Sequence, residues 1–288
     1  MPRMNYRHGF HAGNFADVMK HTLLIILLEA LNRKAAAWCY FDTHAGAGCY
    51  DLKKQAAITT TEAADGIGRL WPQRNDAPAP VQQLCAIVAG VNPALAPGAV
   101  PRFYPGSPSI AAVLARPQDR LVLAELHPQE QRLLRNQFHA DPRVAVHDRD
   151  GYEMLTALVP PSERRGLALM DPPFEQPDEF NALLEALRSA HTRWSNGVYA
   201  LWYPMKDDSA VSRFYRQLSA SGMPPMLVAE FRVARAAAGL FSACGMLVVN
   251  PPWQSEKTIG EALRFLSGVL AQGHADSRLH WLPSATQA

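Results

Sequence analysis

Seven short runs of mostly apolar residues recur along the chain, at 38–43, 121–126, 144–147, 166–170, 198–202, 226–233 and 246–249, and stretches of helical spacing lie between most of them. A strand buried on both faces reads as such a run, and parallel neighbours need a crossover segment to return the chain. Alternation of this kind specifies a mainly parallel sheet with helices on both faces. Ahead of the first run, Asn14 followed by Asp17 gives a capping signal. Behind it Val18, Met19, Thr22, Leu23, Ile26, Leu27 and Ala30 keep helical spacing, which predicts a buried helix over 15–32.

Composition narrows what such a sheet serves. At 288 residues the chain is long for one simple domain and short for two, so one core domain with an insertion is expected. Hydrophobic residues at 48% and charged residues at 19% exclude general disorder. A net charge of +2 leaves no basic sheath, so any affinity for nucleic acid must be a local patch. Cys39, Cys49, Cys85 and Cys244 show no CxxC spacing and read as reduced residues of a cytosolic protein. The apolar stretch 22–31 contains Glu29 and falls short of the roughly 20 residues that a membrane span needs. The N-terminus carries Arg3, Arg7, His8 and His11 without an early apolar region, so a cytoplasmic location is expected.

After the first strand, Asp42-Thr43-His44-Ala45-Gly46-Ala47-Gly48 has the form of a nucleotide-binding turn. Such a turn expects an acid about 20 residues later, against the ribose hydroxyls. The next strand-end acid is Glu125, much further on. Residues 51–100 contain nothing clearly strand-like, and treating them as a helical insertion restores the interval. Tyr104-Pro105-Gly106-Ser107-Pro108 then marks the return, with Ser107 expected as N-cap and Pro108 at the first helical position.

In a doubly wound sheet, ligands sit at the carboxyl ends of the strands. Gly46 and Gly48 would let the backbone approach a cofactor's amino-acid part, Glu125 would accept from the ribose and Asp150 from an adenine amine, and Asp171 ends the fourth strand. Taken singly, each is an ordinary turn, cap or strand-end acid. Their order resembles the arrangement of methyltransferases that use S-adenosylmethionine (SAM). Asp171-Pro172-Pro173-Phe174 also resembles the catalytic signature of amino-group methyltransferases. The lone pair of an aromatic amine is delocalised, so an enzyme must steer it. The Asp171 carboxylate and the Pro172 carbonyl can each accept one N–H while Phe174 lies on the base, and proline fixes φ. Asn250-Pro251-Pro252-Trp253 has the same pattern, but it follows a strand expected to run antiparallel, with its end away from the cofactor. Asn250 and Trp253 are expected to cap that strand and pack the terminal helix.

The runs Tyr6–Asn14 and Asp17–His21, together with 42–48, 104–108, Glu125-Leu126-His127-Pro128, 171–174 and Leu201-Trp202-Tyr203-Pro204, resemble the RlmJ family of bacterial 23S rRNA (adenine-N6)-methyltransferases. The resemblance implies a Rossmann-like SAM-dependent methyltransferase fold with a seven-stranded, mostly parallel sheet. It implies SAM contacts from His21, His44, Ser107, Glu125, Asp150 with Gly151, and Asp171, with Asp171 also catalytic, S-adenosylhomocysteine as product, and Tyr6 at the RNA. Phe174 stands where the family often has tyrosine, which keeps a ring and loses a hydroxyl. Independently, Tyr6 offers a stacking face, while Arg7, His8 and Lys20 offer positive charge to RNA phosphates. His8, His11 and His21 lack cysteine or carboxylate partners at ligand spacing, so no metal is expected; a monomer is. The rival readings are methylation of DNA adenine or of a glutamine amide, and a non-catalytic rRNA-binding assembly factor.

Overall fold

The computed structural model describes residues 11–56, 62–96, 98–235 and 241–284. Helix α1 (Phe15–Asn32) begins as the capping signal requires: Asn14 Oδ1 accepts from the Asp17 amide at 2.9 Å. Most of its faces are buried, because the helix lies between the sheet and the inserted helices. A helix buried nearly all round cannot leave its polar residues to water, and Lys20 and His21 are 3% and 1% exposed.

The main sheet has eight strands, not seven. In chain order they are β1 (Cys39–Asp42), β4 (Arg120–Ala124), β5 (Val144–His147), β6 (Gly166–Met170), β7 (Val198–Pro204), β8 (Met226–Arg232), β9 (Ala243–Val249) and β10 (Asp276–Leu282), with β2 (Cys49–Asp51) and β3 (Phe103–Pro105) forming a separate pair. The spatial order is β10-β8-β9-β7-β6-β1-β4-β5. From β7 to β5 the strands are parallel, while β9 runs antiparallel to both β7 and β8. The extra strand, β10, pairs antiparallel with β8 at the edge; it reads Asp-Ser-Arg-Leu-His-Trp-Leu, so no apolar run announces it.

Strand β1 has β4 on one side and β6 on the other, which makes it the switch point of the sheet. Register aligns the strand ends, since Asp42 lies opposite Leu123 and Leu169. Thr43, Glu125 and Asp171 therefore emerge along one edge.

Between β1 and β4, the pair β2 (Cys49–Asp51) and β3 (Phe103–Pro105) closes the neck of the insertion. Inside it lie α2 (Leu52–Ala56), α3 (Glu62–Asp65), α4 (Ile67–Leu70), a 3-10 turn (Trp71–Asp76) and α5 (Ala79–Gly90). Ile67, Leu70, Trp71, Leu84 and Val88 share one core with α1, so the inserted helices thicken the domain rather than hang from it. After β3 come α6 (Ser107–Leu114), α7 (Pro128–Phe138), α8 (Gly151–Leu158), α9 (Glu179–Arg193), α10 (Asp208–Ser219) and α11 (Ser255–Leu270).

Two expectations need correction here. Ser107 is the first residue of α6 and Gly106 occupies the capping position without a side-chain bond. Trp253 does not pack the terminal helix; it is 84% exposed, while Asn250 Nδ2 donates to the Ser195 and Gly197 carbonyls, each at 2.8 Å. The four cysteines are free, three of them buried and Cys49 half-buried. Among the described residues, no helix is long and apolar enough to cross a membrane.

Candidate active site

A cavity of about 490 Å³ opens at the carboxyl ends of β1, β4 and β6. One wall is the turn after β1. The Thr43 amide donates to the Leu169 carbonyl at 3.1 Å and the Ala45 amide to the Ala124 carbonyl at 2.9 Å, so both neighbouring strands tie the turn down. Gly46 takes φ +63°, and a Cβ there would lie 2.0 Å from the Tyr50 hydroxyl. Its amide donates to Glu125 Oε2 at 2.8 Å, and the His127 amide to Oε1 at 2.7 Å. Those two bonds fix the Glu125 carboxylate while leaving each oxygen a further lone pair. Burial raises its pKa, and the two amides oppose the rise.

Gly48 is needed elsewhere. It does not line the cavity, and at φ +82° a Cβ would sit 2.6 Å from Gln137 Oε1 on α7. Its carbonyl accepts from the Gly106 amide at 2.7 Å and from Ser109 Oγ at 2.6 Å, which joins the turn to α6.

Asp150 caps α8, accepting from the Tyr152 and Glu153 amides through Oδ1 alone. Gly151 must be glycine for contact reasons, since a Cβ would come within 1.8 Å of the Thr43 carbonyl. The start of α8 thus presses on the end of β1. Tyr152 follows, its hydroxyl donating to Glu179 Oε1 at 2.8 Å.

Helix α1 supplies the opposite wall. His21 Nδ1 lies 3.0 Å from the Tyr104 hydroxyl, with the two rings stacked. Lys20 Nζ sits 2.8 Å from Asp17 Oδ1 and 2.5 Å from Asp171 Oδ2, with side-chain exposures of 4%, 3% and 12% in that order. Burial alone would lower the Lys20 pKa; the two carboxylates outweigh it and raise it. Lys20 is therefore a fixed counter-ion of Asp171, not the phosphate-binding side chain expected from the sequence.

His44 lies edge-on to Tyr152, ring centroids 5.2 Å apart, with Nδ1 2.8 Å from Thr43 Oγ1. Burial lowers its pKa to about 4, against the pull of Asp171 and Asp150, so the ring is neutral. Behind the turn, Asp42 is fully buried and its Oδ2 accepts from Tyr40 and from Ser107 Oγ, each at 2.7 Å. Burial pushes its carboxyl up to about 6.

His21, His44, Gly46, Ser107, Glu125, Asp150, Gly151, Asp171 and Lys20 all line one cavity. Pro173 lines it too, whereas Pro172 and Phe174 do not. Phe174 has φ +50° and packs edge-on against Phe180 and Trp202, at 5.0 and 6.0 Å between centroids. Tyr6 and His8 lie outside the described residues. Sequence reasoning missed Asp17, Asp42, Tyr152, Glu130 and Glu179. Asp17 carried a signal, being three residues before Lys20 on a helix expected to be buried. Among the described residues, no group of three or more His, Cys, Asp or Glu is placed to hold a metal ion. His11 instead contacts Glu62 at 3.0 Å.

A family model described as "Ribosomal RNA large subunit methyltransferase D, RlmJ" matches residues 35–283. The Ribosomal RNA large subunit methyltransferase J of Escherichia coli K12 is 40% identical over 97% of this chain and 99% of its own. The protein of the same name from Haemophilus influenzae is 39% identical over the same shares. Among solved structures, protein LPL1258 from Legionella pneumophila superposes with a TM-score of 0.85 at 32% identity, covering 94% of this chain and 98% of that one.

Proposed function

Because the chain belongs to the RlmJ family of ribosomal RNA large subunit methyltransferases, we propose that it transfers a methyl group from SAM to the N6 amine of an adenine in 23S rRNA, as a cytoplasmic monomer. The observation that carries this reading is the Asp171 carboxylate, held by Lys20 at 2.5 Å where β6 ends on the cavity.

The cavity's charge fits this cofactor. Glu125, Glu130, Asp150, Asp171, Glu175, Asp178 and Glu179 all line it, while its lysine, Lys20, is held by Asp17 and Asp171. A pyrophosphate-bearing dinucleotide would meet carboxylates here, whereas a cationic ligand is favoured. When bound, SAM supplies a methyl group made electrophilic by its sulfonium. RNA phosphates belong outside this acidic space, so a single displaced base is the part that enters.

The residues then divide the work. Glu125 takes the ribose hydroxyls and Asp150, through Oδ2, the adenine amine of the cofactor. His21, neutral His44, the Gly46 turn, Ser107 and Gly151 shape the remainder. Asp171, paired with Lys20, accepts an N–H of the target amine and aims its lone pair at the methyl. Pro172 does not line the cavity, so the second acceptor expected at its carbonyl is not assigned, and the amine sheds its surplus proton toward Asp171 after transfer. Phe174 acts by bracing this loop through Phe180 and Trp202. Tyr6 and His8 are assigned to binding the RNA.

Asp171→Ala should lower methylation at least 100-fold while SAM affinity stays within several-fold. The assay is labelled SAM with separate pools of rRNA, DNA and protein. Full residual activity would remove Asp171 from its role. Label appearing in DNA or protein would favour the rival substrates, and no turnover at all would favour an assembly factor.

A further inference from the structure

The pole of the sheet opposite the cavity has no part in the assignments above. Four loops meet there: 33–38 before β1, 164–165 before β6, 194–197 before β7 and 250–254 after the antiparallel β9. They are tied to one another. Asn250 Nδ2 donates to the Ser195 and Gly197 carbonyls, Trp194 Nε1 and Asn196 Nδ2 each donate to the Arg164 carbonyl at 3.3 Å, and Arg165 reaches the Leu31 and Ala36 carbonyls at 2.7 Å. From this face Trp253 projects, 84% exposed. A single exposed ring is ordinary on a protein surface, but this one is held out by a braced loop. Arg33 Nη1 donates to the Trp253 carbonyl at 3.2 Å and to Gln254 Oε1 at 3.3 Å, and Ser255 Oγ donates to the Pro252 carbonyl at 2.6 Å. Gln254 accepts a left-handed φ of +67° to complete the turn. A guanidinium is thereby fixed at the root of an open indole.

The charge around it is positive. Arg33, Lys34, Arg164, Arg165 and Arg193 lie on or beside these loops, and among the described residues none has a carboxylate within ion-pair distance. The acids Asp119 and Glu163 are already taken by Arg116 and Arg120, which leaves Glu29 and Glu256 against five cations. Arg165 is occupied in capping the carbonyls that follow α1, whereas the exposed side chains of Lys34 and Arg164 make no hydrogen bond among the described residues. An RNA that offers one base to the acidic cavity must lay its phosphates elsewhere, and cations beside an open aromatic face hold a single strand without reading its sequence. The pole is within reach of the same RNA, since β1 and β6, of four and five residues, separate it from the cavity by roughly 15 Å of strand. Resting on the rRNA reading above, we propose that this pole is a second RNA-binding surface, on which a base stacks against Trp253 and the adjoining phosphates meet Arg33, Lys34 and Arg164. It adds affinity for the substrate and leaves the methyl transfer itself untouched.

The test uses the full-length protein in two assays: fluorescence anisotropy with a short single-stranded oligoadenylate over a salt series, and methylation of a 23S rRNA transcript. Trp253→Ala should weaken the oligonucleotide about fivefold or more, the scale of one base stacked on an aromatic ring, and raise KM for the transcript in proportion. Trp253→Phe, which keeps a stacking face, should retain most of the affinity. Lys34→Gln combined with Arg164→Gln should lower the slope of log affinity against log salt by about 1.4, two phosphate contacts on a single strand at about 0.7 each. In all three variants kcat and the affinity for S-adenosylhomocysteine should match the wild type, and the melting temperature should stay within about 2 °C of it, because the altered side chains are exposed. Oligonucleotide affinity and salt slope both unchanged would overturn the surface as an RNA site and leave the pole to a protein partner or a second copy. Loss of S-adenosylhomocysteine affinity alongside RNA affinity would overturn it too, as a folding defect. A wild type that binds the oligonucleotide but methylates no 23S rRNA would end the substrate reading alone, and the anisotropy arm would still decide the surface.

Discussion

Replacing Lys20 with methionine keeps the length and packing of the side chain and deletes its charge. The Asp17 and Asp171 carboxylates, 3% and 12% exposed, then lose the lysine that both contact. Removing one partner from a buried ion pair costs about 3–5 kcal/mol, because the remaining charge stays desolvated. Unfolding entropy of about 2.1 cal/mol/K per residue, over 288 residues, is about 0.6 kcal/mol/K, so the melting temperature should fall by about 5–8 °C. Adding Asp17→Asn should restore part of that loss by removing one of the two carboxylates that Lys20 served. The pH dependence has a definite sign. The folded pKa of Lys20 lies above its ordinary 10.5, so its stabilisation is fully present below 10.5 and is lost as pH rises through the folded value. The wild type should thus keep this contribution up to about pH 10 and shed it above, a strongly alkaline loss that Lys20→Met should lack. Urea and thermal melts at pH 7, 9 and 11 measure all three effects. A loss under about 1 kcal/mol at pH 7 would equate the triad with an exposed surface pair and refute the argument. Further destabilisation on adding Asp17→Asn would refute it equally.

Gly46→Ala should abolish measurable SAM binding, since the new Cβ lies 2.0 Å from the Tyr50 hydroxyl and the backbone is at φ +63°. Pairing it with Tyr50→Phe removes the steric part but not the roughly 1 kcal/mol of left-handed strain, so titration should find partial recovery; none would mean that the clash is not the cause. His44, held neutral by burial, should show an imidazole midpoint near pH 4 by NMR. Its folded pKa is below the ordinary 6.5, so its contribution to stability is present above pH 6.5 and is lost as pH falls toward 4. A midpoint between 6 and 7 would show that water reaches the ring.

The elements read correctly from the sequence are those in which one physical demand dominates. Helix α1 has a working N-cap and an apolar run, and β6 is a short, fully buried run between β1 and β7, so their ends fell where the pattern placed them. Strand β10 has no such demand: its residues are half-exposed at a sheet edge, and its pairing with β8 is set by tertiary contact. The pair β2 and β3, three residues each, is likewise a product of the neck it closes.

Within the site, residue identity was legible and direction was not. A strand-end acid can be named from spacing, which is why Glu125, Asp150 and Asp171 converge as expected. Whether a lysine on the facing helix reaches solvent or a carboxylate depends on how deeply that helix is packed, and Lys20 is buried against Asp17, Asp171 and the Trp202 ring. The same reasoning limits what Phe174 does. A bulky residue at φ +50° is strained by about 1–3 kcal/mol, and the contacts that repay it are Phe180 and Trp202, neither of which lines the cavity. A ring committed there cannot also cover an incoming base, so the cavity-lining ring of this loop, Pro173, is the surface left to meet it.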